Sequence, residues 1–191
     1  LNLKCLSAYQ GLQRQEMIKR EPHPHDVRAR FCERCGQGLD GKLIEGIERA
    51  FCPACGFVVY RDPKVASGTI FALDGRVVLL QRGIEPSIGK WVFPGGYVDR
   101  GEPVHLAAIR ETREEVGLDV QIEDLLGVFS YEGVPVVLVV YAGRVIGGEL
   151  KGNEETLEVQ SYRESEIPWT ELAFQSTEDA LRLWLERNGK S

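Results

Sequence analysis

Residues 96–118 read GYVDRGEPVHLAAIRETREEVGL, and the acids in this stretch recur at spacings that gather charge on one side of a helix. Pro103 suits a first helical turn, where its missing N–H would have no partner anyway, and Gly117 suits a stop. The spacing therefore predicts a helix from about 103 to about 116. At about 100° per residue, Glu111, Glu114 and Glu115 fall within one arc of roughly 100°, while Leu106, Ile109 and Val116 cluster on the opposite side. One face is acid and the other is core. Arg113 falls inside the apolar arc, so its stem is expected to lie on apolar surface while its head reaches water. Three carboxylates this close repel one another, which makes sense with divalent cations between them, and all-oxygen donors favour magnesium or manganese. A solvated charged face is the alternative, and the full 23-residue pattern weighs against it.

A second set of residues could bind metal by different chemistry. Cys32-x2-Cys35 is followed, sixteen residues later, by Cys52-x2-Cys55. That is the spacing of a four-thiolate structural zinc site. Each pair sits in a C-x-x-C-G turn (FCERCG, FCPACG), whose glycines let backbone amides curl toward the sulfurs, and the segment around Lys42 to Phe51 is long enough for one hairpin. We read a zinc ribbon. The alternatives are two disulfides or a redox dithiol. No secretory signal is recognisable, which points to a reducing cytoplasm and disfavours disulfides, and two matched pairs argue against a single redox motif. Cys5 has no partner and reads as a plain thiol. His23 and His25, in PHPHD, read as solvated linker.

The remaining composition sets bounds. A chain of 191 residues with 43% apolar residues can hold one core of about 130 residues beside a metal-held module too small to fold on apolar burial alone. No run approaches eighteen apolar residues, so no membrane helix is expected. The net charge of −6 makes the protein unattractive to polyanions. Between Asp26 and Lys64 there are seven basic and six acidic residues, with no basic stripe. Nucleic acid is therefore not expected as a partner.

These groups must be positioned by alternating strands and turns. Ser67 to Leu73 and Arg76 to Gln81 are apolar runs separated by Asp74-Gly75, a type I′ hairpin signal. Trp91 to Phe93 reads as a short strand entering Pro94-Gly95-Gly96, whose glycines allow close approach to a metal or phosphate. Val120 to Tyr131 and Pro135 to Val145 read as long strands. The second is so continuously apolar that burial on both faces is expected. Leu157 to Arg163 is a further strand, and Ser176 to Arg187 an amphipathic helix offering Ala180, Leu181, Leu183, Trp184 and Leu185 to the core. The fold class is α/β, with a mixed sheet between helices.

The stretch at 96–118 resembles the Nudix box, G-x5-E-x7-R-E-U-x-E-E-x-G-U, where U is bulky and apolar. Gly96, Glu102, Arg110, Glu111, Glu114, Glu115, Gly117 and Leu118 match, and Thr112 departs at the first U position. A zinc ribbon directly before such a domain is similar to NADH pyrophosphatases and to the ribbon-bearing group that includes plant-type FAD and ADP-ribose pyrophosphatases. YRDPKVASGTIF (60–71) looks like both, whereas PSIGKWVFPGGYVDRGE (86–102) and EIPWTELAFQST (166–177) resemble the second group more closely. Where NADH pyrophosphatases carry a longer SQPWPFP-like segment, this chain has only Phe174-Gln175-Ser176. The similarity covers roughly residues 30 to 187. It implies a Nudix α/β/α sandwich over 63–191 after a zinc ribbon over 29–62, and residues 1–28 are expected to form a flexible extension.

The resemblance also implies roles. Hydrolysis of a pyrophosphate bridge needs metal clamps on the phosphoryl oxygens and a positioned water. Glu111, Glu114 and Glu115 become metal ligands, with Glu102 as a further or water-mediated one and the Gly96 or Gly95 carbonyl as another oxygen. Arg110 orients the carboxylates, with an ordinary surface pair as the alternative. The general base is a box glutamate or a carboxylate on a later loop, where Glu155 and Glu158 are the candidates. Arg82 and Tyr97 are candidate substrate contacts, and Trp91, Phe129 and Tyr131 are aromatic residues that could stack on a base or pack in the core. The expected substrate is a small nucleotide of ADP-X type, such as FAD, ADP-ribose or NADH, split to release AMP. A nucleoside triphosphate or capped RNA, or a nucleic-acid-binding ribbon protein, are the alternatives. Related enzymes are commonly dimers, so a homodimer is compatible with the resemblance.

Overall fold

The computed structural model describes residues 30–188, which form two compact units dividing after Tyr60. The extension expected over 1–28, with Cys5, His23 and His25, lies outside the described residues.

The first unit holds one hairpin, β1 (Asp40–Ile44) and β2 (Ile47–Phe51), paired antiparallel from Asp40↔Phe51 to Ile44↔Ile47. Its turn residues Glu45 and Gly46 both have positive φ, 51° and 78°, the type I′ geometry that matches strand twist. Before and after it the two C-x-x-C-G turns repeat one geometry. Gly36 N–H donates to Cys32 O at 2.8 Å and Gly56 N–H to Cys52 O at 2.9 Å, while the Cys32 and Cys52 amides each donate at 2.7 Å to the carbonyls of Gln37 and Phe57. Both glycines sit at positive φ, 73° and 76°, where a side chain would strain the turn. Cys32 and Cys52 are the buried residues among those described in this unit, and Phe31 and Leu43 are largely exposed. Apolar burial is therefore too small to hold this unit, and the sulfurs form its centre.

The second unit contains β3 (Lys64–Ile70), β4 (Ala72–Leu73), β5 (Arg76–Arg82), β6 (Trp91–Val92), β7 (Gly95–Tyr97), α1 (Val104–Val116), β8 (Leu118–Phe129), β9 (Val136–Gly148), β10 (Thr156–Tyr162) and α2 (Gln175–Asn188). One sheet runs β7-β3-β9-β8. It is mixed, because β3 and β9 are parallel while the other pairs are antiparallel. The other runs β10-β5-β4, with β6 also on β5. Asp74 and Gly75 take positive φ, 52° and 75°, so the expected hairpin forms. Ile70, Leu79, Trp91 and Val140 pack with Leu181 of α2, and Phe71, Val78 and Val92 pack with Val116 and Leu118. The α/β class and mixed sheet are those expected.

Two packing expectations need correction. Within β9 only Val140 is fully buried, and most of its other apolar residues are half-buried. The strand is central in its sheet, but Val136 and Leu138 line a cleft, Leu138 also packing against the core. On α1, the buried residues are Ala107, Ala108, Thr112 and Val116, whereas Leu106 is 47% exposed. Arg113 projects outward and pairs with Asp119 at 3.2 Å. The helix is thus rotated from the expected position, and its glutamates lie beside the sheet-facing stripe instead of opposite it.

Thr112, the residue that departs from the apolar pattern, is fully buried. Its Oγ1 donates to Ala108 O at 2.7 Å and lies 2.6 Å from Thr69 Oγ1 on β3. A buried hydroxyl pair tolerates loss of both partners better than loss of one. Thr112→Val should therefore destabilise the fold by about 1–3 kcal/mol, and Thr69→Val/Thr112→Val should recover most of that. Urea titration of the two single variants and the double variant tests this, and strictly additive losses would refute the coupling.

Candidate functional site

Helix α1 starts after Pro103 and ends at Gly117, whose φ of 73° lets its N–H reach Arg113 O at 3.1 Å. This holds the acidic residues against β3 and β7. Arg110 is their hub. Its Nε and Nη2 donate to Glu102 Oε1 and Oε2 at 2.8 and 2.9 Å, and its Nη1 donates to Glu111 at 2.7 Å and Glu114 at 3.0 Å. Nη2 also reaches Tyr97 O at 3.2 Å, so one planar guanidinium ties three carboxylates to strand β7. The Arg110 contact, with the Asp99 amide, brings the Glu102 carboxyl down to about 2.

Glu115 is held differently. Its Oε2 accepts from Gly95 N–H at 2.8 Å, and burial pushes its carboxyl up to about 8 against that hydrogen bond. Burial also raises Glu111, although Arg110 opposes it. Both acids border the cleft, and at Glu115 burial outweighs the hydrogen bond, a condition a cation would relieve. Gly96 makes the approach possible, since a Cβ there would come within 2.5 Å of Glu111 Cδ.

These groups line a cleft of about 940 Å³ within the second unit. Arg110, Glu111, Glu115 and Glu155 contribute charge, and Tyr97, Tyr131, Leu138 and Phe174 contribute aromatic or apolar surface. A volume of this size suits a nucleotide-sized ligand. The sequence carries the same signature, and the NUDIX domain family matches residues 62–185. The chain belongs to the Nudix family.

Among its relatives, this Nudix hydrolase is similar to an ADP-ribose pyrophosphatase of Methanocaldococcus jannaschii, 36% identical over 120 residues, 61% of this chain and 70% of that protein. It is also similar to an NAD-capped RNA hydrolase of Stutzerimonas stutzeri, 29% identical over 130 residues, 68% of this chain but only 46% of the relative. In structure it resembles a Nudix hydrolase of Nitrosomonas europaea, with a TM-score of 0.78 at 32% identity, covering 84% of this chain and 94% of the other. Nudix hydrolases use divalent metal.

The Nudix box residues are brought together unevenly. Glu102, Glu111 and Glu114 gather on Arg110, while Glu115 turns to the Gly95 amide. Among the described residues, the four cysteines are the group whose metal-ligand atoms all lie within 4.8 Å of one another. The glutamate donors are all oxygen, and Glu111 and Glu115 are half-buried at the cleft, which fits a hard cation. Of the later carboxylates, Glu155 lines the cleft, but Glu158 is an exposed residue of β10 outside the cleft lining. Glu155 precedes β10 and Glu158 lies within it, beyond a register shift between Thr156 and Glu158. Arg82 and Tyr97 both line the cleft. The Nε of Arg82 donates to Pro86 O at 2.8 Å, its guanidinium lies 5.3 Å from the Phe174 ring, and Tyr97 lies under Lys64 Nζ at 4.5 Å. Trp91 is a core residue, edge-on to Tyr162 at 5.3 Å, and Phe129 packs against the same core. Tyr131 lines the cleft instead. Pattern reading missed Ile84, Val134 and Thr177 of the cleft lining. Nothing in their local sequence marks them, because loops and a helix end converge on the cleft only in three dimensions.

In the first unit, Cys32 Sγ lies 3.7 Å from Cys55 Sγ, and Cys35 Sγ lies 3.5 Å from Cys52 Sγ. A tetrahedron with Zn–S bonds of about 2.3 Å has edges of about 3.8 Å, so the spacing fits a closed four-thiolate zinc ribbon and is too long for disulfides.

Proposed function

We propose that this Nudix hydrolase cleaves the pyrophosphate bond of an ADP-X compound, releasing AMP and a second phosphate monoester, with FAD or ADP-ribose as substrate. The observation that carries this is the cleft itself, where inward-facing Glu111 and Glu115 meet an aromatic and apolar wall in a volume of about 940 Å³. The likeness to the M. jannaschii ADP-ribose pyrophosphatase and the segment EIPWTELAFQST favour the same substrate class. A pyrophosphate flanked by two esters presents one bridge to the carboxylates and needs no room for a third phosphoryl group.

Glu111, Glu114 and Glu115, with Glu102 and the Gly96 carbonyl, are our ligands for magnesium or manganese, and the four cysteines are our ligands for a structural zinc. Bound divalent cations would neutralise the phosphoryl oxygens and acidify the attacking water. Arg110 fixes the carboxylates so that they need not reorganise on binding. Glu155 is our candidate base. It would take the proton as the water oxygen bonds to phosphorus and the bridging P–O bond breaks toward the leaving phosphate. Arg82, at the cleft, is our candidate contact for a phosphoryl oxygen.

A second reading is favoured by the relative that hydrolyses NAD-capped RNA, since such a cap presents the same type of bond. A magnesium-supported screen over FAD, NADH, NAD, ADP-ribose, diadenosine polyphosphates, 8-oxo-dGTP and NAD-capped RNA separates these. We expect AMP from a free dinucleotide-like substrate at the highest kcat/KM. Faster cleavage of 8-oxo-dGTP, with pyrophosphate as product, would overturn the proposal, and faster decapping would favour the RNA reading.

A further inference from the structure

The β8–β9 hairpin and the first turn of α2 meet at one wall of the cleft, where a part-buried hydrogen bond joins them. Tyr131 follows β8 and its hydroxyl donates to Asp179 Oδ2 at 2.6 Å, while Gln175 Nε2 donates to Asp179 Oδ1 at 2.9 Å. Tyr131 and Gln175 both line the cleft; Asp179 does not. Asp179 therefore uses both carboxylate oxygens on cleft-wall groups and leaves neither aimed at a ligand. Burial and the Asp179 charge both raise the Tyr131 phenol, so it stays a hydrogen-bond donor and the ring is held by its hydroxyl end.

The surface so fixed has a specific chemistry. Tyr131, Val134, Val136 and Leu138 supply flat or branched apolar area, and Gln175 and Ser176 supply neutral hydrogen-bonding groups. Arg82 borders this wall at its Gln175 end, its guanidinium 5.3 Å from the Phe174 ring. A planar, uncharged ring with donors and acceptors on its edge fits, because stacking uses the ring face while amide and hydroxyl groups read the edge.

We propose that Tyr131 is the stacking residue for the nucleobase of the substrate, and that Asp179 is the positioning residue that presents Tyr131 and Gln175 to it. The inference deepens the ADP-X reading and rests on it for the identity of the base-bearing ligand, but it is tested by binding rather than turnover. Titrate Glu115→Gln protein, in magnesium, with ADP-ribose and separately with inorganic pyrophosphate, which lacks a ring. Then repeat with Tyr131→Ala, Tyr131→Phe and Asp179→Ala added.

Tyr131→Ala should weaken ADP-ribose about tenfold, the order supplied by one base–aromatic stack, and leave pyrophosphate within about twofold. Tyr131→Phe and Asp179→Ala should each weaken ADP-ribose less, by about threefold, since the ring remains but is no longer held. In the active enzyme, the same three changes should raise KM for ADP-ribose with little change in kcat. ADP-ribose binding unchanged by Tyr131→Ala overturns the proposal. So does an equal loss for both ligands, which would mark a merely structural contact, and so does failure of the Glu115→Gln parent to bind ADP-ribose at all. If binding shifts as expected while the wild-type chain hydrolyses no ADP-X compound, the base subsite stands and the proposed reaction falls.

Discussion

Glu115→Gln is expected to lower kcat by at least about 10²-fold while leaving the fold intact, since metal stabilisation of developing charge supplies several kcal/mol. The amide retains an oxygen for the Gly95 N–H now bound at 2.8 Å, so the β7 backbone keeps its position. What disappears is the negative charge directed into the cleft. Glu114→Gln should act in the same direction through a more exposed side chain, 55% accessible and held only at one Arg110 contact of 3.0 Å. Steady-state kinetics with saturating magnesium, alongside circular dichroism, test both, and unchanged turnover in the pair would remove the site assignment.

The same substitution carries a stability consequence in metal-free protein. Burial raises the Glu115 carboxyl to about 8 from its ordinary value of 4.5. Between these values the folded chain binds more protons than the unfolded one, so this residue makes stability fall as pH rises. Glu115→Gln abolishes that contribution. Thermal melts in chelator should show the variant more stable than wild type at pH 8 and the difference shrinking toward pH 5. A difference that grows toward low pH would contradict the burial argument.

Cys52→Ser should release the zinc and unfold the first unit. Cys52 is fully buried, and with Cys32 it supplies the unit's buried centre. Apparent zinc binding to small thiolate sites is worth about 10–16 kcal/mol at neutral pH, far more than so small a body can gain from apolar burial. Hydrogen exchange should show protection lost over β1 and β2 but retained in β3, β5 and β9, because the second unit has its own core. Less than about half a zinc per wild-type chain would count against a four-thiolate site, which binds one ion.

The sequence by itself determined which chemistry this chain carries. The four cysteines are legible because two identical turns with the same glycine recur at a metal-binding spacing, a local property. The glutamates are legible for a related reason, since one helix brings residues three and four apart together whatever surrounds it. Helix ends at Pro103 and Gly117 and the Asp74-Gly75 turn were also readable, because backbone geometry there depends on single residue types.

Tertiary structure alone decided how α1 is turned and what stands opposite it. Periodicity gives the angles between side chains but not which arc meets the sheet. That depended on the small residues Ala107 and Ala108, on the Thr69–Thr112 pair and on the space left by Gly96 beside Glu111. The cleft wall was beyond sequence for a different reason. Tyr131 and Asp179 are 48 positions apart, and neither has a local pattern that names the other. Glu155 and Glu158, both acids of GNEETLEVQSY, were told apart only in three dimensions, where Glu155 lines the cleft and Glu158 lies outside its lining. Local spacing identifies the candidate groups, because neighbours along the chain stay neighbours in a helix or turn. Long-range packing determines which of them share a cavity.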